Sequence, residues 1–231
     1  MSDVAVISTP DHSELLRPTY FMDHEHPGVR EFVARMVGGA TDPVAKAVRL
    51  YYAVRDGIRY DPYRFHMHRE NFRASHTLSA GAAFCIPKSI LLGAVARAAG
   101  IPAQLGFIDV RNHLSTERLR QLMGTDVFMW HGYTALYLEG QWVKATPAFN
   151  IEMCRRFDVL PLDFDGTHDA MMHPYNANNQ RHMEYLTDRG IYADFPYPKF
   201  IEDLRHHYPQ FIRMAGVELG DFENETVLVT E

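Results

Sequence analysis

The sequence predicts an α+β fold in which a cysteine-bearing helix packs on an antiparallel sheet. Segments with helical spacing of apolar residues come first along the chain, and segments with strand-like alternation follow. This order differs from the regular alternation of strands and helices in α/β proteins. With 231 residues, 46% of them hydrophobic, the chain has enough apolar side chains for one domain with a substantial core.

Two helices are predicted near the start of the chain. Residues 1–22 resemble a loose lead-in, and Pro27 opens a segment whose apolar residues recur at three- and four-residue steps up to Val37. Thr41-Asp42-Pro43 then supplies a capping residue and a first-turn proline. The second helix is expected to end near Gly57.

The strongest local pattern predicts a buried helix that begins at or beside Cys85. Pro87 is tolerated only in a first helical turn, and an apolar stripe follows it. Gly100 and Pro102 end the helix.

Strands dominate the next part of the chain. Leu105–Ile108 suggests a strand, and Ser115-Thr116-Glu117 starts a short helix. Residues 128–138 and 142–145 are predicted to form a hairpin that turns at Glu139-Gly140. Trp130 and Trp142 are expected in the core. The pattern weakens over 151–198, which we expect to be a loop-rich cover, before a last helix around residues 200–211.

Charge and cysteine content exclude several classes of protein. The 23 Lys and Arg residues and 29 Asp and Glu residues are interspersed and give a net charge of −6, which argues against nucleic acid or an anionic membrane as a partner. Two cysteines cannot form a disulfide scaffold. No apolar run approaches the ~20 residues of a membrane span, and the N-terminus lacks a secretory pattern. We expect a cytoplasmic protein.

Cys85 and His131 are the candidate catalytic pair. Unpaired N–H groups and the helix dipole favour a thiolate at a helix N-terminus, although a free cysteine also packs as a small hydrophobe. His131 lies early in the predicted hairpin and shares a strand face with Tyr133, Ala135 and Tyr137. If this strand packs against the start of the helix, thiol and imidazole can form an ion pair.

The stretches "SAGAAFCIPKSILLGAVARAAGIPAQLGF" and "WHGYTALYLEGQWVKATPAFN" resemble the core of the transglutaminase-like superfamily, especially its bacterial members described as cysteine proteases. Residues 97–103 match the helix-to-strand signature of the family, and "VRDGIRYDP" matches the segment that precedes its cysteine block. The resemblance covers about 43–150 and implies a papain-like fold with Cys85 as nucleophile and His131 as base. We expect one domain over 1–231, made of this core, a helical lead-in and the C-terminal cover.

The residue at the third catalytic position differs from the one usual in the family, which is an Asp before Pro on the return strand. Thr146 stands there, followed by Pro147. If Leu138 pairs with Gln141, Thr146 lies opposite Tyr133 and diagonally beside His131; a three-residue turn would move it to the other face.

Other residues are candidates to orient the imidazole. Asn150 matches the amide of Cys-His-Asn proteases, and the sequence also offers Asp163 and Asp165. Thr146 and Asn150 rank above the two acids, because Asp165-Gly166 is a common turn dipeptide. The backbone N–H of Cys85 is expected to be one oxyanion donor, and the second is not identifiable.

The thirteen histidines also raise the possibility of a metal site. "MDHEHP" (residues 22–27), "HMH" (66–68) and "HH" (206–207) could contribute ligands, but their spacings match no familiar zinc motif. "HMEYLTDRG", with His182 and Glu184, is expected to cover the active-site cleft. Cys154 lacks a helix-start context and is expected to be structural.

The resulting hypothesis is a cysteine hydrolase or acyltransferase that attacks an amide or peptide substrate through a Cys85 thioester and needs no cofactor. A peptide- or protein-binding module with the same fold is the alternative, because the family Asp is missing. A metal enzyme that uses the histidines is a third and weaker hypothesis. The sequence does not indicate an oligomeric state.

Overall fold

The computed structural model describes residues 12–113, 115–172, 175–176, 178–179, 182–213 and 222. The strands are β1 Arg59–Tyr60, β2 Ala82–Ala83, β3 Ala103–Asn112, β4 Val127–Leu138, β5 Gln141–Ala145 and β6 Met183–Tyr192. The helices are α1 Pro27–Val37, α2 Pro43–Gly57, α3 Ala74–Ala80, α4 Cys85–Ala98, α5 Glu117–Met123, α6 Ile151–Arg156, α7 Tyr197–His207 and α8 Pro209–Arg213.

The main sheet is antiparallel and has the strand order β5-β4-β3-β6. The tight hairpin between β4 and β5 pairs Leu138 with Gln141. Its turn residues Glu139 and Gly140 have φ values of 48° and 87°, as a two-residue turn that follows the strand twist requires. The predicted α+β class and the predicted hairpin are confirmed. A second, two-stranded parallel sheet joins β1 to β2.

The first two helices begin where their capping residues predict. Both have proline in the first turn, and the Asp42 carboxylate accepts a 2.7 Å hydrogen bond from the backbone N–H of Ala45. Within the part of the chain that is described, no helix is long and apolar enough to cross a bilayer.

Helix α4 is the centre of the core and is buried along nearly its whole length. It packs against α1, α2, α3 and the strands β3 and β4. Backbone carbonyls satisfy its two buried basic side chains: Lys88 donates to Arg55 O and Ile58 O, and Arg97 donates to Ala103 O. Trp130 is fully buried as expected, whereas Trp142 is only half-buried.

The expectation of a loop-rich cover over 151–198 is wrong in part. This stretch contains α6 and the ten-residue strand β6, which pairs with β3 and extends the sheet. The period-two signal is weak because β6 is an edge strand with most of its middle residues exposed, and two register shifts interrupt it. "HMEYLTDRG" is therefore part of the sheet.

The lead-in over 1–22 is not loose in its described part. Residues 1–11 lie outside the described residues, but Phe21 and Met22 are buried in the core, and Arg17 O accepts a 2.8 Å hydrogen bond from Arg97. Long-range packing orders this segment, which the local pattern does not reveal.

Candidate active site

The start of α4 lies directly against β4, as the proposed pairing of Cys85 with His131 requires. Thr134 donates a 2.9 Å hydrogen bond to Ser89 O, which fixes the helix to the strand. Gly132 allows the close approach, because a Cβ atom there would lie 3.3 Å from Ile86 Cα. The first turn of α4 therefore contacts the residue that follows His131.

Cys85 and His131 line the same cavity, and both also line an adjoining one. The two cavities have volumes of about 70 Å³ and about 40 Å³. The larger has room for roughly five water molecules, which is the scale of an acyl group or a short side chain. Its other walls are mainly apolar and include Phe65, Phe84, Phe128, Met129, Phe200 and Leu204.

Opposing effects act on the Cys85 thiol. Burial raises the pKa of Cys85 to about 11, although hydrogen bonds from the backbone N–H groups of Gly132, Ile86 and Cys85 itself lower it. The helix start thus stabilises the thiolate as its position predicts, but removal of the sulfur from water is the larger effect. The thiol is protonated at neutral pH in this conformation.

The imidazole of His131 is also neutral. His131 is 5% exposed, and burial lowers its pKa to about 4. Its Nε2 atom is buried and has no hydrogen-bond partner among the described residues. A buried, unpaired nitrogen of this kind can accept a proton from a thiol or a substrate. Burial thus shifts the pKa of both groups in the direction that disfavours the thiolate–imidazolium pair expected from the sequence.

Thr146 occupies the predicted place but is hydrogen-bonded elsewhere. Because Thr134 pairs with Ala145, the hairpin has the two-residue turn that puts Thr146 on the face of Tyr133. The Thr146 hydroxyl donates to the Met171 sulfur at 3.5 Å, and its backbone N–H donates to Ala170 O. The structure shows no hydrogen bond from the Thr146 side chain to His131.

The Asn150 side chain is hydrogen-bonded to a residue that lines the cavity. Its Oδ1 atom accepts a 2.9 Å hydrogen bond from the backbone N–H of Tyr60, and the Tyr60 ring lines both cavities. Burial raises the pKa of Tyr60 well above its ordinary value, so its hydroxyl is neutral. The Asn150 amide thus holds the backbone of Tyr60, and the structure shows no hydrogen bond between the Asn150 side chain and the His131 imidazole.

The two acidic candidates lie away from the cavity. Asp163 is exposed, accepts a hydrogen bond from Tyr52 and lies 3.6 Å from the Arg55 guanidinium. The Asp165 carboxylate accepts hydrogen bonds from the backbone N–H groups of Thr167 and His168. Asp165 therefore closes a turn, which agrees with its Asp-Gly dipeptide.

Sequence reasoning missed two residues of the site. Tyr60 lines the cavity and belongs to the "VRDGIRYDP" segment. The match of this segment to the family could have identified Tyr60 as a neighbour of the cysteine. Gly132 could have been noticed as a glycine inside a predicted strand, a pattern that often marks close backbone approach.

Residues of the histidine-containing segments form ion pairs, helix caps and ring contacts. Asp23 binds Arg73 at 2.8 Å, His26 caps the N-terminus of α1, and the rings of His206 and His207 contact each other. No three His, Cys, Asp or Glu residues in the described ranges lie close enough together to hold a metal ion. Cys154 is buried, with its sulfur 3.8 Å from Phe149 O.

Comparison with known proteins places these features in a family. A search of curated proteins finds no match. Among solved structures, three chains match. One is the crystal structure of a putative cysteine protease from Cytophaga hutchinsonii, at 14% identity and a TM-score of 0.48, with 81% of this chain and 56% of that chain covered. This chain thus spans just over half the length of that protein. The family model of the transglutaminase-like superfamily matches residues 30–147, about half of the chain, and the chain belongs to that superfamily.

Proposed function

We propose that this chain hydrolyses an amide or peptide bond, or transfers its acyl group, through a thioester on Cys85. The observation that carries the proposal is the cavity that Cys85 and His131 line together. Membership of the transglutaminase-like superfamily supports it. Hydrolysis is the preferred outcome, because water is always available as the acceptor.

In the proposed mechanism both groups start in their neutral forms. As the Cys85 sulfur forms its bond to the carbonyl carbon, neutral His131 takes the thiol proton. His131 then gives that proton to the leaving amine as the carbon–nitrogen bond breaks and the thioester remains. Water attacks the thioester and His131 accepts one of its protons. As the carbon–sulfur bond breaks, His131 returns this proton to the Cys85 sulfur, which releases the acid and regenerates the free thiol and the neutral imidazole. A pKa of about 4 keeps His131 in the base form at neutral pH.

Two backbone donors are available for the negative charge that develops on the carbonyl oxygen. The backbone N–H groups of Cys85 and Gly132 both lower the pKa of the Cys85 thiol and so favour negative charge at this point of the cavity. Preorganised backbone donors of this kind stabilise an oxyanion without reorganisation. Gly132 is therefore the second donor in the proposed mechanism.

Acylation by p-nitrophenyl acetate tests the proposal. The wild-type chain is expected to release a burst of nitrophenol and to carry one acetyl group on Cys85, located by peptide mass spectrometry. Cys85→Ala should abolish the burst, and His131→Ala should slow it by roughly 10²- to 10⁴-fold. Cys154→Ala is the matched control, because Cys154 is the other free cysteine in the described part of the chain and lies outside the cavity lining. An unchanged burst in Cys85→Ala would refute the mechanism.

A peptide-binding module without catalysis is the second candidate. It is favoured by the lack of an orienting hydrogen bond to the His131 imidazole within the described residues. Under this alternative, His131→Ala leaves the rate of Cys85 labelling by iodoacetamide unchanged at every pH. The acylation experiment and this labelling profile together separate the two functions.

A further inference from the structure

The backbone immediately before His131 is bulged. Ile108 pairs with His131 but Val110 pairs with Phe128, so that Asp109 alone opposes two residues of β4. One of these two is Trp130, whose φ is 63°. A bulky residue in the left-handed region is a genuine outlier and costs of order 1–3 kcal/mol, so the surroundings must hold it.

Side chains replace the hydrogen bonds that the bulge takes from the sheet. The Asp109 carboxylate accepts a 3.0 Å hydrogen bond from the Trp130 backbone N–H. The Tyr208 hydroxyl accepts one of 2.9 Å from the Met129 N–H and donates one of 2.8 Å to Val127 O. Both displaced amides are thereby satisfied, as buried N–H groups require.

A partly buried ion-pair network holds Asp109 in turn. Arg189 of β6 donates to both carboxylate oxygens of Asp109 and, through Nη1, to Asp203 of α7 at 2.7 Å. Asp203 also accepts a 2.9 Å hydrogen bond from the Trp130 indole. The Arg189 guanidinium lies over the Trp130 ring, 5.1 Å from its centroid. Asp109, Arg189 and Asp203 come from three different elements, and all three converge on the residue before His131.

We propose that Asp109 is a positioning residue that sets the place of the His131 imidazole beside Cys85 by holding the bulged backbone of Trp130. β-bulges next to active sites re-aim side chains in this way. The inference rests on the proposed function, because it assigns Asp109 a role in the action of His131. It goes beyond that function, since Asp109 itself does not touch the sulfur.

Two substitutions separate the position of the Asp109 acceptor from its charge. Asp109→Asn keeps an oxygen in reach of the Trp130 N–H and loses the charge that pairs with Arg189. Asp109→Glu keeps the charge and moves the acceptor by one methylene group. Asp203→Asn is the control, because it weakens the same network but leaves the Trp130 backbone contact intact.

The readouts are the acetylation rate, the NMR titration of the His131 ring and the free energy of unfolding. Asp109→Glu is expected to slow acetylation roughly 10- to 100-fold, because small displacements of a catalytic group have effects of this size. It should also move the His131 titration up from about 4. Asp203→Asn should keep a rate close to wild type and an unmoved titration. Asp109→Asn should lie between Asp203→Asn and Asp109→Glu, because the oxygen that accepts from the Trp130 N–H remains but its pairing with Arg189 is weakened.

If Asp109→Asn is acetylated more slowly than Asp109→Glu, the inference is overturned. The ion pair between Asp109 and Arg189 would then serve stability alone. An unmoved His131 titration in Asp109→Glu would overturn it as well. These results are distinct from failure of the proposed function, in which His131→Ala leaves wild-type acetylation unchanged. The NMR titration is informative in either case, since it does not depend on activity.

Discussion

Ile86 Cα lies 3.3 Å from the position that a Cβ atom on Gly132 would occupy. Gly132→Ala is therefore expected to push the first turn of α4 away from β4. Overpacking of this kind costs about 1–3 kcal/mol of unfolding free energy. The shift also separates Cys85 from the Gly132 amide, so the acetylation rate should fall roughly tenfold or more.

Gly57→Ala is the matched control for this prediction, because an added Cβ at Gly57 meets nothing within 4 Å. Urea unfolding and acetylation kinetics are measured on both variants. If Gly132→Ala keeps wild-type stability and rate, the contact between α4 and β4 does not set the site.

Thr146 and Asn150 are expected to differ in their effects. Thr146→Val removes only a weak hydrogen bond to sulfur and should cost about 1 kcal/mol or less. Asn150→Ala leaves the Tyr60 N–H without its acceptor and should cost about 1–3 kcal/mol. Acetylation by Thr146→Val should stay near the wild-type rate. A loss as large as that of His131→Ala would instead restore Thr146 as the group that orients the imidazole.

The stability of the protein should depend on pH through His131. Burial lowers the pKa of His131 from 6.5 to about 4. Between these pH values His131 is protonated in the unfolded chain and neutral in the native chain. The free energy of unfolding therefore decreases as pH falls through this window, by up to about 3 kcal/mol. In His131→Gln this contribution is absent, and the difference from wild type is measured by urea unfolding from pH 7 to 4.

Exposed His206 provides the control, as His206→Gln should keep the wild-type dependence on pH. A His131→Gln variant with the same slope as wild type would show that His131 is solvated in the native state.

The stability of the protein should also depend on pH through buried Lys88. The free energy of unfolding again increases with pH, but over a higher pH range than for His131. Burial lowers the pKa of Lys88 from 10.5 to about 7, so the unfolded chain binds more protons between these values. The free energy of unfolding should rise from pH 7 to 9, by at most about 1.4 kcal/mol per pH unit. Lys88→Met should flatten this rise, whereas exposed Lys199→Met should not. Equal slopes in the two variants would contradict the assignment.

Most of the secondary structure in the first 150 residues is predictable from local chemistry. Proline, capping residues and glycine set the bounds of α1, α2 and α4, and Glu139-Gly140 sets the turn of the β4–β5 hairpin. The edge strand β6 escapes prediction because both of its faces are largely solvated and its alternation is interrupted. Local patterns report on burial, and an exposed strand buries too little to be recognised.

By itself, the sequence determined where the cysteine-bearing helix starts, which strand carries His131 and which residue stands at the family's third position. These features depend on residues that are close together along the chain. Only the tertiary structure decided that Thr146 and Asn150 form hydrogen bonds elsewhere and that Asp109 and Arg189 converge on Trp130. It also decided that burial raises the pKa of Cys85 and lowers that of His131. The physical reason is that hydrogen-bond partners and desolvation come from elements distant in sequence, whose relative placement no local pattern specifies.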